Sequence, residues 1–162
     1  MLIIKKGDLL SATEKFIAHQ TNCLGTMGAG VARAIALKYP HVDKAYKNAC
    51  YNSNQSPELL GKIQIIACDP GDKKKEGQCI VNVFGQYRVG TYRRQTDYDA
   101  LREAFSKLNN LGHDVAIPYL MGCGLGGGEW EIVSQIIEET CPDINVVAYD
   151  IDGKASKTQK EK

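Results

Sequence analysis

Two segments of this 162-residue chain repeat one pattern, and that pattern constrains the fold more than any other feature. Each runs from a short apolar stretch into a cluster of glycines and then into a helix. The first is Phe16–Thr21, followed by Gly25-Thr26-Met27-Gly28-Ala29-Gly30 and by Val31–Tyr39. Pro40 ends that helix, because proline removes an amide donor and clashes with the preceding turn. The second is Asp114–Tyr119, then Gly122–Gly128, then Glu129–Glu139 with Trp130, Val133, Ile136 and Ile137 turned inward. Strands written as unbroken apolar runs are covered on both faces, and helices between strands supply that cover. The chain is therefore expected to be α/β.

The remaining segments fit the scheme. Leu2–Lys5 is a short apolar run before the turn-type pair Gly7-Asp8. Val42, Ala45, Tyr46 and Ala49 recur at helical spacing and predict a second helix. Lys62–Cys68 and Cys79–Phe84 are β-rich and flank the polar Asp69–Gly77, a hairpin-type loop. Leu101, Ala104, Phe105, Leu108 and Leu111 share one helix face. Thr96 with Asp99 three residues on resembles a capping box for that helix, and Gly112 suits its stop. Ile144–Tyr149 is a last apolar strand. Residues 1–152 read as one domain, with 153–162 a polar tail expected to be disordered.

A helix N-terminus presents unpaired amides and a partial positive charge, so it attracts anions. Glycines beside it let the backbone come close to the ligand. Two such loops, Gly28–Val31 and Gly122–Gly126, can hold a diphosphate between them without lysine or arginine. A formal net charge of +1 is therefore compatible with a phosphate ligand, though it argues against a dedicated polybasic surface.

Other chemistries fit less well. No G-x-x-x-x-G-K-[ST] is present, so the chain is not a P-loop protein. A cysteine phosphatase needs arginine six residues after its cysteine, and Glu129 stands at that distance from Cys123. Gly122, Gly124 and Gly127 do match G-x-G-x-x-G, with Asp150 about twenty residues on, which keeps an NAD-type dinucleotide site open. The apolar run in Met1–Lys6 is too short for a secretory signal, and no stretch approaches the ~20 apolar residues of a membrane span. Cys23, Cys50, Cys68, Cys79, Cys123 and Cys141 form no C-x-x-C, so they read as reduced thiols of a cytoplasmic protein. His19, His41 and His113 lack zinc-type spacing, and neither a metal nor a cofactor is expected.

The order of these pieces carries a family likeness. Gly7-Asp8-Leu9-Leu10, Ala18-His19-Gln20-Thr21-Asn22-Cys23, Met27-Gly28-Ala29-Gly30-Val31-Ala32, Asn82-Val83-Phe84, and Ile117-Pro118-Tyr119 leading into Gly122-Cys123-Gly124-Leu125-Gly126-Gly127 and Trp130 span nearly the whole folded part. In that order the chain resembles a macro domain, the ADP-ribose-binding module, nearest to terminal ADP-ribose protein glycohydrolases and yeast-type ADP-ribose-1″-phosphate phosphatases. The resemblance implies a three-layer α/β/α sandwich with a mixed sheet and a cleft at the strand ends. It also implies that Asp8 accepts a hydrogen bond from the adenine amino group, with Leu9 beside it and Tyr149 flanking the ring. Asn22 and Phe84 would meet the distal ribose. Gly28, Ala29, Gly30 and Val31 would line one side of the diphosphate, and Gly122, Cys123, Gly124, Leu125 and Gly126 the other.

Glycohydrolases of this branch use a lysine shortly after the strand equivalent to Cys79–Phe84 and an aspartate in the second glycine loop. Here those places read Phe84-Gly85-Gln86 and Gly126, so the chain departs from the pattern at both. The remaining candidate is His19, near where the yeast-type phosphatases carry a histidine, as general base toward a water at the distal ribose. The expected activity is hydrolysis of ADP-ribose-1″-phosphate or of an ADP-ribosylated macromolecule. The alternative is a non-catalytic reader of ADP-ribosylated partners. In Tyr87–Arg94, arginines interleave with tyrosines; Arg88, Arg93 and Arg94 there are the only residues expected to contact nucleic acid.

Overall fold

The apolar runs pair into one six-stranded sheet in a computed structural model that describes residues 1–153 and Ala155. The strands are β1 (Leu2–Lys6), β2 (Phe16–Thr21), β3 (Ile63–Ala67), β4 (Cys79–Phe84), β5 (Val115–Pro118) and β6 (Val146–Asp150). Their order is β1-β6-β5-β2-β4-β3. Every neighbouring pair is parallel except β3 with β4, the pair joined by the 69–77 loop. Parallel pairs need long crossovers, and four helices lie in the connections: α1 (Gly30–Lys38), α2 (Pro40–Asn52), α3 (Tyr98–Asn110) and α4 (Trp130–Thr140).

Side-chain alternation along the strands sorts the helices into two layers. Phe16 and Ala18 of β2, Val81 and Val83 of β4, and Val115 and Ile117 of β5 pack with Leu101, Phe105 and Leu108 of α3 and Val133, Ile136 and Ile137 of α4. The intervening residues Ile17, Ile80, Ala116 and Val147 pack on the other face against Ile35 of α1 and Val42 of α2. A mixed sheet between two helical layers is the α/β/α sandwich expected from the sequence. Its strand order differs from the 3-2-1-4-5-6 order of the dinucleotide-binding fold, which removes support from an NAD-type site.

Two local expectations need correcting. Pro40 does more than stop α1: it is the first residue of α2, where the missing amide costs nothing. The cap of α3 is Asp97, whose Oδ1 accepts from the Ala100 amide at 3.0 Å, and Thr96 is turned elsewhere. The polar tail expected from residue 153 lies mostly outside the described residues. Gly153, however, is buried, and the Ala155 amide donates to Asp150 Oδ2 at 2.9 Å.

Candidate functional site

β2 and β5 are neighbours whose chains leave in opposite directions along the sheet, β2 toward β4 and β5 toward β6. Such a divergence opens a crevice at the carboxyl ends of the strands. Both glycine loops follow these two strands, so both border it. The resulting cleft is about 440 Å³, within the usual range for a small-molecule site. His19 and Gln20 line it from β2; Asn22, Gly28, Ala29, Gly30 and Val31 from the first loop; and Gly122, Gly124, Leu125 and Gly126 from the second. Among the described residues, none that lines the cleft is Asp, Glu, Lys or Arg.

Backbone amides replace charge on both walls. α1 begins without a side-chain cap, and Gly30 at φ +56° takes a conformation that suits glycine. Among the described residues, the amides from 28 to 32 have no hydrogen-bond acceptor, and neither do those from 124 to 126. On the second wall the free amides belong to the loop itself. α4 starts at Trp130, four residues beyond the last lining glycine, so its end does not reach the cleft as the sequence pattern suggested.

A smaller pocket of about 160 Å³ adjoins the cleft and shares Val31, Pro118, Tyr119 and Leu120 with it. Asp8, Leu9 and Tyr149 line this pocket together. Asp8 is exposed and caps a short 3-10 turn, its Oδ1 accepting from the Leu10 amide at 3.0 Å. Tyr149 is held by its hydroxyl, which donates to both carboxylate oxygens of Glu14 at 2.7 and 2.9 Å. Burial, together with that carboxylate, pushes the phenol up to about 12.

Register decides the state of His19. It sits opposite Asn82 on β4, which sits opposite Gln64 on β3. Across this row His19 Nε2 meets Asn82 Oδ1 at 2.6 Å, and Asn82 Nδ2 donates to Gln64 Oε1 at 3.0 Å. Because Asn82 Oδ1 is an acceptor, Nε2 carries the proton and Nδ1 holds the lone pair. That Nδ1 is sealed from solvent and has no partner among the described residues. Burial lowers the imidazole to about 4, against a smaller opposing effect of the Asn82 bond. At neutral pH the ring is uncharged, weakly basic and closed to water, so this geometry does not support the general-base expectation.

Asn22 lines the cleft, yet its amide is engaged within the loop. Its Oδ1 accepts from the Tyr46 hydroxyl at 2.6 Å and the Leu24 amide at 2.9 Å, and its Nδ2 donates to Thr26 O at 2.9 Å. Two expected contacts lie elsewhere. Phe84 is buried against Tyr46, with ring centroids 6.1 Å apart, and does not line the cleft. Cys123 turns its thiol back to Met121 O at 3.4 Å and packs on the α3/α4 core. Burial raises that thiol to about 11, the reverse of the lowering a helix N-terminus produces.

Sequence reasoning missed Gln20, Gln86 and Thr96, which bond to one another beneath the second loop. The available signal was the polar His19-Gln20-Thr21 end of a strand that opens on Phe16-Ile17-Ala18. Beyond Gln86, Val89, Gly90 and Thr91 form part of the cleft wall. The arginines of this segment are exposed and stack on tyrosines: Arg88 on Tyr87 at 5.6 Å, Arg93 on Tyr92 at 5.5 Å and Arg94 on Tyr98 at 4.3 Å. Among the described residues none of the three is in an ion pair. No helix of the described residues is long and apolar enough to cross a membrane.

Comparison with known proteins agrees with this architecture. The DNA ADP-ribosyl glycohydrolase of Mycobacterium tuberculosis is 30% identical over 156 residues, which are 92% of this chain and 42% of that protein. This chain thus spans less than half of that relative. The ADP-ribose 1″-phosphate phosphatase of Saccharomyces cerevisiae is 27% identical, with 90% of this chain and 96% of the yeast protein covered. The solved macrodomain of Mycobacterium tuberculosis DarG superposes with a TM-score of 0.73 at 28% identity, covering 92% of this chain and 97% of that one. The macro domain family profile matches residues 18–137. On fold, site and sequence together, this chain belongs to the macro domain family.

Proposed function

We propose that the chain binds ADP-ribose and hydrolyses a derivative of it at the distal ribose. The observation that carries this reading is the pair of amide rows without acceptors, at 28–32 and 124–126, on residues that line one cleft together with no charged side chain among the described residues. A diphosphate between the two rows would meet N–H donors from both walls. The adjoining pocket would then receive adenine, whose 6-amino group donates and finds an acceptor in Asp8, while Leu9 and Tyr149 cover the ring. The distal ribose would fall between Asn22 and the second loop. There a water oxygen bonds to C1″ as the bond to the aglycone breaks; the aglycone leaves with the bonding electron pair and takes up the proton that the water gives up.

The named activities of the relatives support hydrolysis. Among substrate classes, the three tyrosine-stacked arginines, which flank the cleft-lining Val89-Gly90-Thr91 in sequence, favour nucleic-acid-linked ADP-ribose over the free 1″-phosphate. One observation favours the second reading, a non-catalytic reader: no carboxylate, lysine or open imidazole lines the cleft. Incubation with an ADP-ribosylated single-stranded oligonucleotide and with ADP-ribose-1″-phosphate decides between them. Release of ADP-ribose from the oligonucleotide supports the proposal. Binding of ADP-ribose with no product from either substrate establishes the reader.

A further inference from the structure

The second glycine loop has a feature on its outer side that the proposed binding does not use. Gln20 follows Phe16 and Ala18 at the same strand parity, so it lies on the α3/α4 face, opposite His19. Its Nε2 donates to Thr96 Oγ1 at 2.9 Å and to Gln86 Oε1 at 2.8 Å. Thr96, 2% exposed, passes its own proton on: Oγ1 donates to Gly122 O at 2.7 Å. The amides of Gln95 and Thr96 both donate to Gly126 O, at 2.8 and 3.0 Å, and Gly128 N closes the loop onto Gly122 O at 2.8 Å. The carbonyls of residues 122 and 126 are thus tied outward, while the amides of 124–126 stay free along the cleft.

We infer that Thr96 and Gln20 are positioning residues: they clamp the second glycine loop so that its free amides face the diphosphate and distal ribose. The hydroxyl is essential to the clamp because one group must accept from Gln20 and donate to Gly122 at once. The clamp also explains the glycines around it. A methyl carbon at 126 would overlap the Thr96 hydroxyl, and one at 122 or 85 would come within 2.8 or 2.7 Å of Gln20 Oε1. Gly85, within the Phe84–Gln86 stretch, and Gly126 lie where this chain departs from the glycohydrolase pattern, and at both the clamp fills the space a side chain needs.

The inference rests on the ADP-ribose reading, and its test separates the two. Thr96→Val keeps the shape and removes the hydroxyl; Thr96→Ser keeps the hydroxyl. Affinities for ADP-ribose and for AMP, which ends short of the second loop, are measured on each by calorimetry. Thr96→Val is expected to bind ADP-ribose about tenfold more weakly with AMP unchanged, as two hydrogen bonds are lost at the loop, and Thr96→Ser to restore it. Gln20→Met provides the same loss by a second route if Thr96→Val folds poorly. An equal drop for both ligands, an unaltered ADP-ribose affinity, or a serine variant as weak as valine overturns the clamp. If the unaltered protein binds no ADP-ribose, the functional reading fails, and amide exchange at Gly128 still judges the clamp: faster in Thr96→Val than in Thr96→Ser supports it, and equal rates overturn it.

Discussion

Replacing His19 with glutamine tests the conclusion that this buried imidazole is a neutral structural group. The ring titrates near 4 in the folded protein against an ordinary value of 6.5. A histidine with a depressed folded pKa takes up its proton more readily when unfolded. Its stabilising contribution is therefore full above pH 6.5 and disappears as pH falls through 4. The fall from 6.5 to about 4 corresponds to about 3 kcal/mol of stability lost across that window. His19→Gln can still donate to Asn82 Oδ1 but cannot titrate, so its profile lacks this component. Carboxylates titrate in the same range in both proteins and cancel in the difference. Urea unfolding at intervals from pH 7 to 4, followed by the fluorescence of the single tryptophan, Trp130, gives both curves. The gap between them should close by about 3 kcal/mol on acidification. A gap that stays constant with pH refutes the buried neutral ring. If turnover is found, His19→Gln should retain it; a loss of several orders of magnitude with ADP-ribose affinity intact would return His19 to the chemistry.

Two further predictions concern the segment that follows β4. Changing Arg88, Arg93 and Arg94 together to glutamine should weaken retention of a single-stranded oligonucleotide and reduce the salt slope of binding by about 2, leaving ADP-ribose affinity unchanged. An unchanged slope would mean these guanidiniums are only a solvated, tyrosine-stacked surface. Asp97→Ala removes the cap of α3 and should cost about 1 kcal/mol, a fall in Tm of about 2–4 °C. No change in Tm would mean the Asp97–Ala100 hydrogen bond adds nothing to stability.

The legible parts of this fold were those written in contiguous residues. Phe16–Ala18 and Val115–Pro118 are apolar because helices cover both faces, so the runs announce a parallel sheet and the glycines after their strands mark its open end. What pairing decides was hidden. The row His19–Asn82–Gln64 exists because β2, β4 and β3 meet in one register, and no local pattern links residues 19, 82 and 64. The same register turns His19 into a closed group and places Gln20 on the opposite face. Thr96 and Asp97 are both good capping residues, and only the path of the loop determines that Asp97 reaches Ala100 while Thr96 reaches Gly122. The family resemblance implies a ribose contact for Phe84, but Tyr46 of α2 offers it a stacking partner in the core.

The central claim is that two rows of backbone amides, with no charged side chain between them, recognise ADP-ribose. Calorimetric titration of the unaltered protein with ADP-ribose, AMP and NAD tests it most directly. The account predicts saturable one-to-one binding of ADP-ribose, clearly tighter than AMP, because AMP engages only the adenine pocket and one end of the amide cleft. It also predicts that NAD binds more weakly than ADP-ribose, since a distal ribose already carrying nicotinamide must fit beside the second loop. Absence of ADP-ribose binding, or equal affinity for ADP-ribose and AMP, would contradict it.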